Sequence, residues 1–146
     1  MNDRYKFRVW DKVGERMIVD VQDFIPLKIT NKGILRLNPL HEENLYTLIE
    51  FGDPFIPMQC IGLKDKNGAL IFEGDIIKFR AHDYSVGDTG YIIYDNEKAC
   101  FSIKWNDGLI HECPTYYNRI DKTFEIIGNI YNNPELVQEN WKDSNE

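Results

Sequence analysis

The chain has 146 residues, 42% apolar and 13% aromatic, enough to build a core and to exclude wholesale disorder. Its 17 Lys and Arg stand against 24 Asp and Glu, a net charge of -7, where a dedicated nucleic-acid binder of this size would usually be basic. No apolar run is long enough for a membrane helix, and Met1–Asn2–Asp3–Arg4 leads into no apolar export segment, so a cytoplasmic setting and no membrane partner are expected.

The dominant periodicity is two, the period of strands. Tyr5, Phe7 and Val9 alternate with Lys6 and Arg8. Met17, Val19 and Val21 follow the turn signal Asp11–Lys12–Val13–Gly14, which predicts a first hairpin. Residues 24–29 and 34–37 flank Asn31–Lys32–Gly33 and predict a second. Leu45, Leu48 and Ile49 sit at helical spacing, so a short helix is expected between breakers at Pro39 and at Gly52, Pro54 and Pro57. That stretch divides an N-terminal β-hairpin lobe, residues 1–53, from a C-terminal barrel-like lobe, residues 54–146, with one compact unit as the alternative.

About six short strands are expected between residues 58 and 131, separated by tight turns. Asn67–Gly68 suits a type I′ turn, which needs positive φ at both positions. Glu73–Gly74–Asp75 bends the chain before residues 76–80. Residues 90–94 and 98–105 pair across Asp95–Asn96–Glu97, with Ala99, Phe101, Ile103 and Trp105 on one face. Asn106–Asp107–Gly108 is a further turn, and residues 124–131 form the last strand. Asn133 as cap and Pro134 as first residue predict a short C-terminal helix that docks through Leu136, Val137 and Trp141. The expected fold is therefore mainly β, a small, strongly bent antiparallel sheet or barrel with an N-terminal hairpin lobe and a short terminal helix. No βαβ alternation occurs, which argues against a doubly wound nucleotide-binding fold.

The chemistry is sparse. There is no phosphate loop and no nucleophile elbow. Three cysteines, 60, 100 and 113, cannot close a disulfide framework. With His111 they are the best metal constellation, but only one loose pair has ligand spacing, so buried thiols and no metal are expected. Asp65, Glu73 and Asp75 would serve a metal or acid–base site if they converged, but turn chemistry explains them more simply. Lys6, Arg8 and Trp10 on the first strand, with Lys78 and Arg80 on a later one, form the candidate binding strip for single-stranded nucleic acid. Charge is uneven: residues 1–40 carry 8 Lys/Arg against 5 Asp/Glu, and residues 41–146 carry 9 against 19, so +3 precedes -10.

Four blocks resemble the YopX family of phage and prophage proteins. They are Phe7–Arg8–Val9–Trp10–Asp11; Met58–Gln59–Cys60–Ile61–Gly62–Leu63–Lys64–Asp65–Lys66–Asn67–Gly68, continuing through Ile71–Phe72–Glu73–Gly74–Asp75–Ile76–Ile77; Gly90–Tyr91–Ile92–Ile93–Tyr94–Asp95; and Glu125–Ile126–Ile127–Gly128–Asn129–Ile130–Tyr131–Asn132–Asn133–Pro134–Glu135–Leu136. The family usually has Thr where this chain has Ile61. The resemblance implies a largely β protein of a bacterial phage or prophage, with no established activity and no catalytic residues to carry over; no cofactor is expected. Gln59, Gly62, Asp65, Asn67, Gly68, Glu73, Gly74, Asp75, Gly128, Asn129 and Pro134 are its motif positions here, and fold-making roles suffice for them. The function expected is a non-enzymatic, self-associating binding module, a homo-oligomer with a host or phage protein partner. A small nucleic-acid-binding barrel is the alternative, and a hydrolytic enzyme ranks below both.

Overall fold

The computed structural model describes residues 3–18, 28–29, 33–37, 46–50, 55–79, 89–112 and 124–137. Strands make up most of these, every strand pairing is antiparallel, and no helix exceeds three residues. No helix among them is long and apolar enough to cross a membrane. The chain divides into two units, Tyr5–Gln59 and Cys60–Glu146, the second also taking Met1–Arg4.

In the first unit, β1 (Phe7–Asp11) and β2 (Arg16–Ile18) form the expected hairpin, with Val9 opposite Ile18. The turn is held by Asp11, whose carboxylate accepts the N–H groups of Val13 and Gly14 at 3.1 and 2.9 Å. The Phe55–Gln59 half of β6 (Phe55–Lys64) flanks β1 on its other side. Val9, Trp10 and Met58 are buried there. β3 (Lys28–Ile29), β4 (Gly33–Leu37) and β5 (Tyr46–Glu50) make a separate sheet in that order. β5 corrects the expected helix: Leu48 and Ile49 lie opposite Leu35 and Ile34, and pairing with β4 overrides a spacing that fits either period.

In the second unit, the Cys60–Lys64 half of β6 pairs with β7 (Leu70–Phe72). A five-stranded sheet follows, built from β8 (Asp75–Phe79), β9 (Thr89–Asp95), β10 (Cys100–Trp105), β11 (Ile110–Glu112) and β12 (Phe124–Asn129). Its order is β11-β10-β9-β8-β12, an open order with two ends, and the sheet is curled as a half-barrel. One face carries the core: Ile77, Ile92, Ile103, Trp105 and Phe124 pack with Ile61 and Ile71 of the β6–β7 hairpin. Each such side chain, fully buried, contributes roughly 1.5–3 kcal/mol. Phe101, Ile103 and Trp105 share this face as expected, while Ala99 lies exposed in the turn.

The turns depart from expectation in one respect. At Asp65–Ala69 only Gly68 has positive φ, 82°, and Asn67 does not, so the turn is not type I′. Gly68 N–H donates to Asp65 C=O and Asp65 N–H to Ala69 C=O, a three-residue loop ending in a glycine bulge. Trp105–Leu109 repeats the same pair of bonds, with Gly108 at φ 87°.

The terminal helix is also corrected. Pro134–Leu136 is a single 3-10 turn, and Val137 after it is extended. Asn133 does not cap it through its side chain; its Oδ1 accepts the N–H of Asn129 at 3.2 Å instead. Trp141, Arg80, Cys113 and the loop 81–88 lie outside the described residues.

Candidate functional site

The tip of the β6–β7 hairpin carries a buried side chain bonded to three main-chain N–H groups. Asp65 is only 3% exposed. Its Oδ1 accepts the N–H groups of Asn67 and Ala69, both at 2.9 Å, and its Oδ2 accepts that of Ile126 at 3.1 Å. Burial pushes this carboxyl up, but the N–H donors of Ile126, Ala69 and Asn67 outweigh it and hold it below its ordinary value. Beside it, Lys66 N–H donates to Phe124 C=O at 2.8 Å, and Lys66 Nζ meets Glu125 Oε2 at 2.6 Å. The tip therefore lies along the outer edge of β12, where an unpaired row of N–H and C=O groups would otherwise face water.

Asp75, 2% exposed, accepts the N–H of Phe72 at 2.8 Å across the Glu73–Gly74 corner. Gly74, at φ 78°, donates its N–H to Ile92 C=O and accepts the N–H of Ile130 on its own C=O, both at 2.9 Å. The corner is thus stitched to β9 and to the turn after β12. Asp65 meets β12 at Ile126 and Asp75 meets it opposite Asn129, so their carboxylates serve different main-chain donors rather than one site. Tyr131 follows; its phenol is pushed up by burial and then by the negative charge of Glu73 and by Tyr91.

The other motif positions also hold backbone. A Cβ on Gly62, at φ 84°, would fall 2.6 Å from Arg4 Cγ. One on Gly128 would fall 2.7 Å from Asn133 Oδ1, the atom that reaches back to Asn129. Gly128 also follows the register shift in the β12–β8 pairing. Asn129, 5% exposed, accepts the N–H of Tyr131 at 3.0 Å. Pro134 opens the 3-10 turn, and Gln59 sits opposite Phe7 at the end of the first unit.

The basic strip falls in both units. Lys6, Arg8 and Trp10 belong to the first, where Trp10 is 8% exposed between Met17 and Ile56 on the neighbouring strands. Lys78 belongs to the second, on β8 between Thr89 and Glu125. The sulfur and imidazole groups are also separated. His111 lies opposite Ile103, on the core face, and accepts the Trp105 Nε1–H on its Nδ1 at 3.0 Å. Cys100 lies on the other face, 3.7 Å from Ser102 Oγ, and Cys60 is buried with its sulfur accepting the Gly62 N–H at 3.4 Å. No group of three metal-ligating side chains occurs among the described residues.

What the sequence reading passed over is the far edge of the same sheet. β11 is its last described strand; Ile110 at its start is 40% exposed and Leu109 just before it 56%. Lys104, opposite Ile110 on β10, is 7% exposed and has no ion partner among the described residues. The signal was available: the turn Asn106–Asp107–Gly108 fixes the Trp105–Leu109 pairing and hence this register.

Together these features define a mainly β protein, antiparallel throughout its described strands, whose buried carboxylates hold turns and edges in place. A family model described as YopX protein matches residues 6–138, and the chain belongs to that family. It is similar to protein EF1440 of Enterococcus faecalis, at 26% identity and a TM-score of 0.57, covering 91% of this chain and 97% of that one. It is also similar to yopX of Bacillus subtilis, at 21% identity and a TM-score of 0.62, covering 94% and 100%. No curated protein matches the chain.

Proposed function

We propose that this protein acts by binding rather than catalysis, as a self-associating accessory protein of the phage or prophage kind, working inside the bacterial cell. The observation that carries the reading is the outer edge of β11, which has no strand partner among the described residues and lies beside exposed Leu109 and Ile110. Strand edges of this kind are natural pairing surfaces. The non-catalytic part is supported by Asp65 and Asp75, the best candidate acids, whose carboxylates are occupied by main-chain N–H groups. Free thiols at Cys60 and Cys100 suit a reducing compartment.

Sedimentation velocity at micromolar concentration tests the reading. The expected result is an oligomer; a strict monomer across the range overturns self-association. A labelled oligonucleotide at low salt is expected to stay unshifted, and a salt-sensitive shift would favour nucleic-acid binding instead.

A further inference from the structure

We infer that the partner is a second copy of this chain, added antiparallel along β11, and that the pairing closes at two. The inference rests on the self-association proposed above and names its surface.

The first argument is the direction of the β11 main-chain groups. Trp105 N–H donates to Leu109 C=O, and hydrogen-bonded and non-bonded pairs alternate along an antiparallel ladder. Ile103 and His111 are therefore a bonded pair, while Lys104–Ile110 and Ser102–Glu112 are not. The N–H and C=O groups of Ile110 and Glu112 consequently point away from β10. This outward row is self-complementary about His111: Ile110 of one copy meets Glu112 of the other, and the reverse, in a two-fold arrangement.

The second argument is the inequality of the two sheet edges. The β12 edge is occupied by the hairpin tip, through Asp65 at Ile126 and Lys66 at Phe124. A head-to-tail contact of β11 on β12 would propagate without limit, but that tip blocks it. Pairing of β11 with itself is isologous and uses up, in both copies, the outward row that no described strand pairs.

Ile110→Pro removes one outward N–H without touching the bonded pairs to β10, and Pro is tolerated where an edge N–H faces outward. In sedimentation velocity with far-ultraviolet circular dichroism, the wild-type chain is expected to be a dimer. Folded Ile110→Pro should dissociate at least 100-fold more readily, and Glu112→Pro, which removes the other outward N–H, should do the same. A monomeric wild-type chain overturns both this inference and self-association itself. A folded Ile110→Pro or Glu112→Pro protein that stays dimeric, or a wild-type protein that grows beyond two, overturns the β11 surface alone.

Discussion

The carboxylate of Asp65 accepts the main-chain N–H of Ile126, 61 residues further along the chain, at 3.1 Å. One side chain thus terminates its own hairpin and covers the edge of a distant strand. Asp65→Ala leaves three N–H groups without that acceptor and should cost roughly 2–4 kcal/mol in urea denaturation, whereas Asp65→Asn, which keeps one acceptor oxygen, should cost about 1–2 kcal/mol. Lys66→Ala should stay within about 1 kcal/mol of wild type, because a partly exposed ion pair is worth little. Equal losses at Asp65 and Lys66 would show that the ion pair, not the carboxylate, holds the tip.

Acid should loosen the protein through the same group. Asp65 is held low by main-chain donors despite its burial, and Asp11 is held low chiefly by the Gly14 N–H. A carboxyl whose folded value lies below its unfolded value of about 3.9 stabilises the fold at higher pH. That contribution is whole above the unfolded value and is lost as pH falls through the folded one. Urea midpoints should be nearly flat from pH 7 to 5 and fall below pH 4, with a shallower fall in Asp65→Asn. An identical acid limb in the variant would remove Asp65 from the account.

Two glycines separate steric room from backbone conformation. A Cβ on Gly90 would stand 2.8 Å from Ile103 Cγ2 and 2.9 Å from both Lys104 O and Trp105 Cε3. Since a carbonyl oxygen of the same sheet cannot step aside, Gly90→Ala should cost roughly 2–3 kcal/mol. A Cβ on Gly68 meets nothing within 4 Å, so Gly68→Ala bears only its φ of 82°, about 1 kcal/mol. Thermal melts that reverse this order would contradict the packing of Trp105 over Gly90.

One substitution should improve the fold. Ala99 closes the β9–β10 turn with φ 52°, a region in which Cβ crowds the following carbonyl. The residue is exposed, so nothing is lost by removing its methyl group. Ala99→Gly should raise stability by about 0.5 kcal/mol, the relief being partly offset by a freer unfolded chain. A lower melting temperature would show that the turn is not strained there.

Much of the fold was legible because its signals are local. Asp11 to Gly14 announces the first hairpin, and Gly108 the turn before β11, through hydrogen bonds made within five residues. The errors lie where a partner decides. Leu48 and Ile49 fit a helix until β4 arrives beside them, and Asn133 is a good cap until Gly128, lacking a Cβ, lets its side chain turn back to Asn129. The turn role of Asp65 is local and legible, but its bond to Ile126 has no signal within either segment. His111 and Cys100 could not be separated before the register was known, since only opposition to Ile103 sets the imidazole on the core face. The edge at Ile110 was missed because exposed apolar residues in a short strand look like any others until that strand is found at the end of its sheet.

The order of strands in the second sheet has a consequence for synthesis on the ribosome. β8 lies between β9 and β12, yet β12 emerges only after β9, β10 and β11 have all been made. During that interval β8 offers Ile76 and Ile77 along a bare edge in a half-made sheet, and the hairpin tip at Asp65 has nothing to grip. The nascent chain is therefore most adhesive just before β12 appears, and a premature stop ahead of Phe124 would release a product locked in that state.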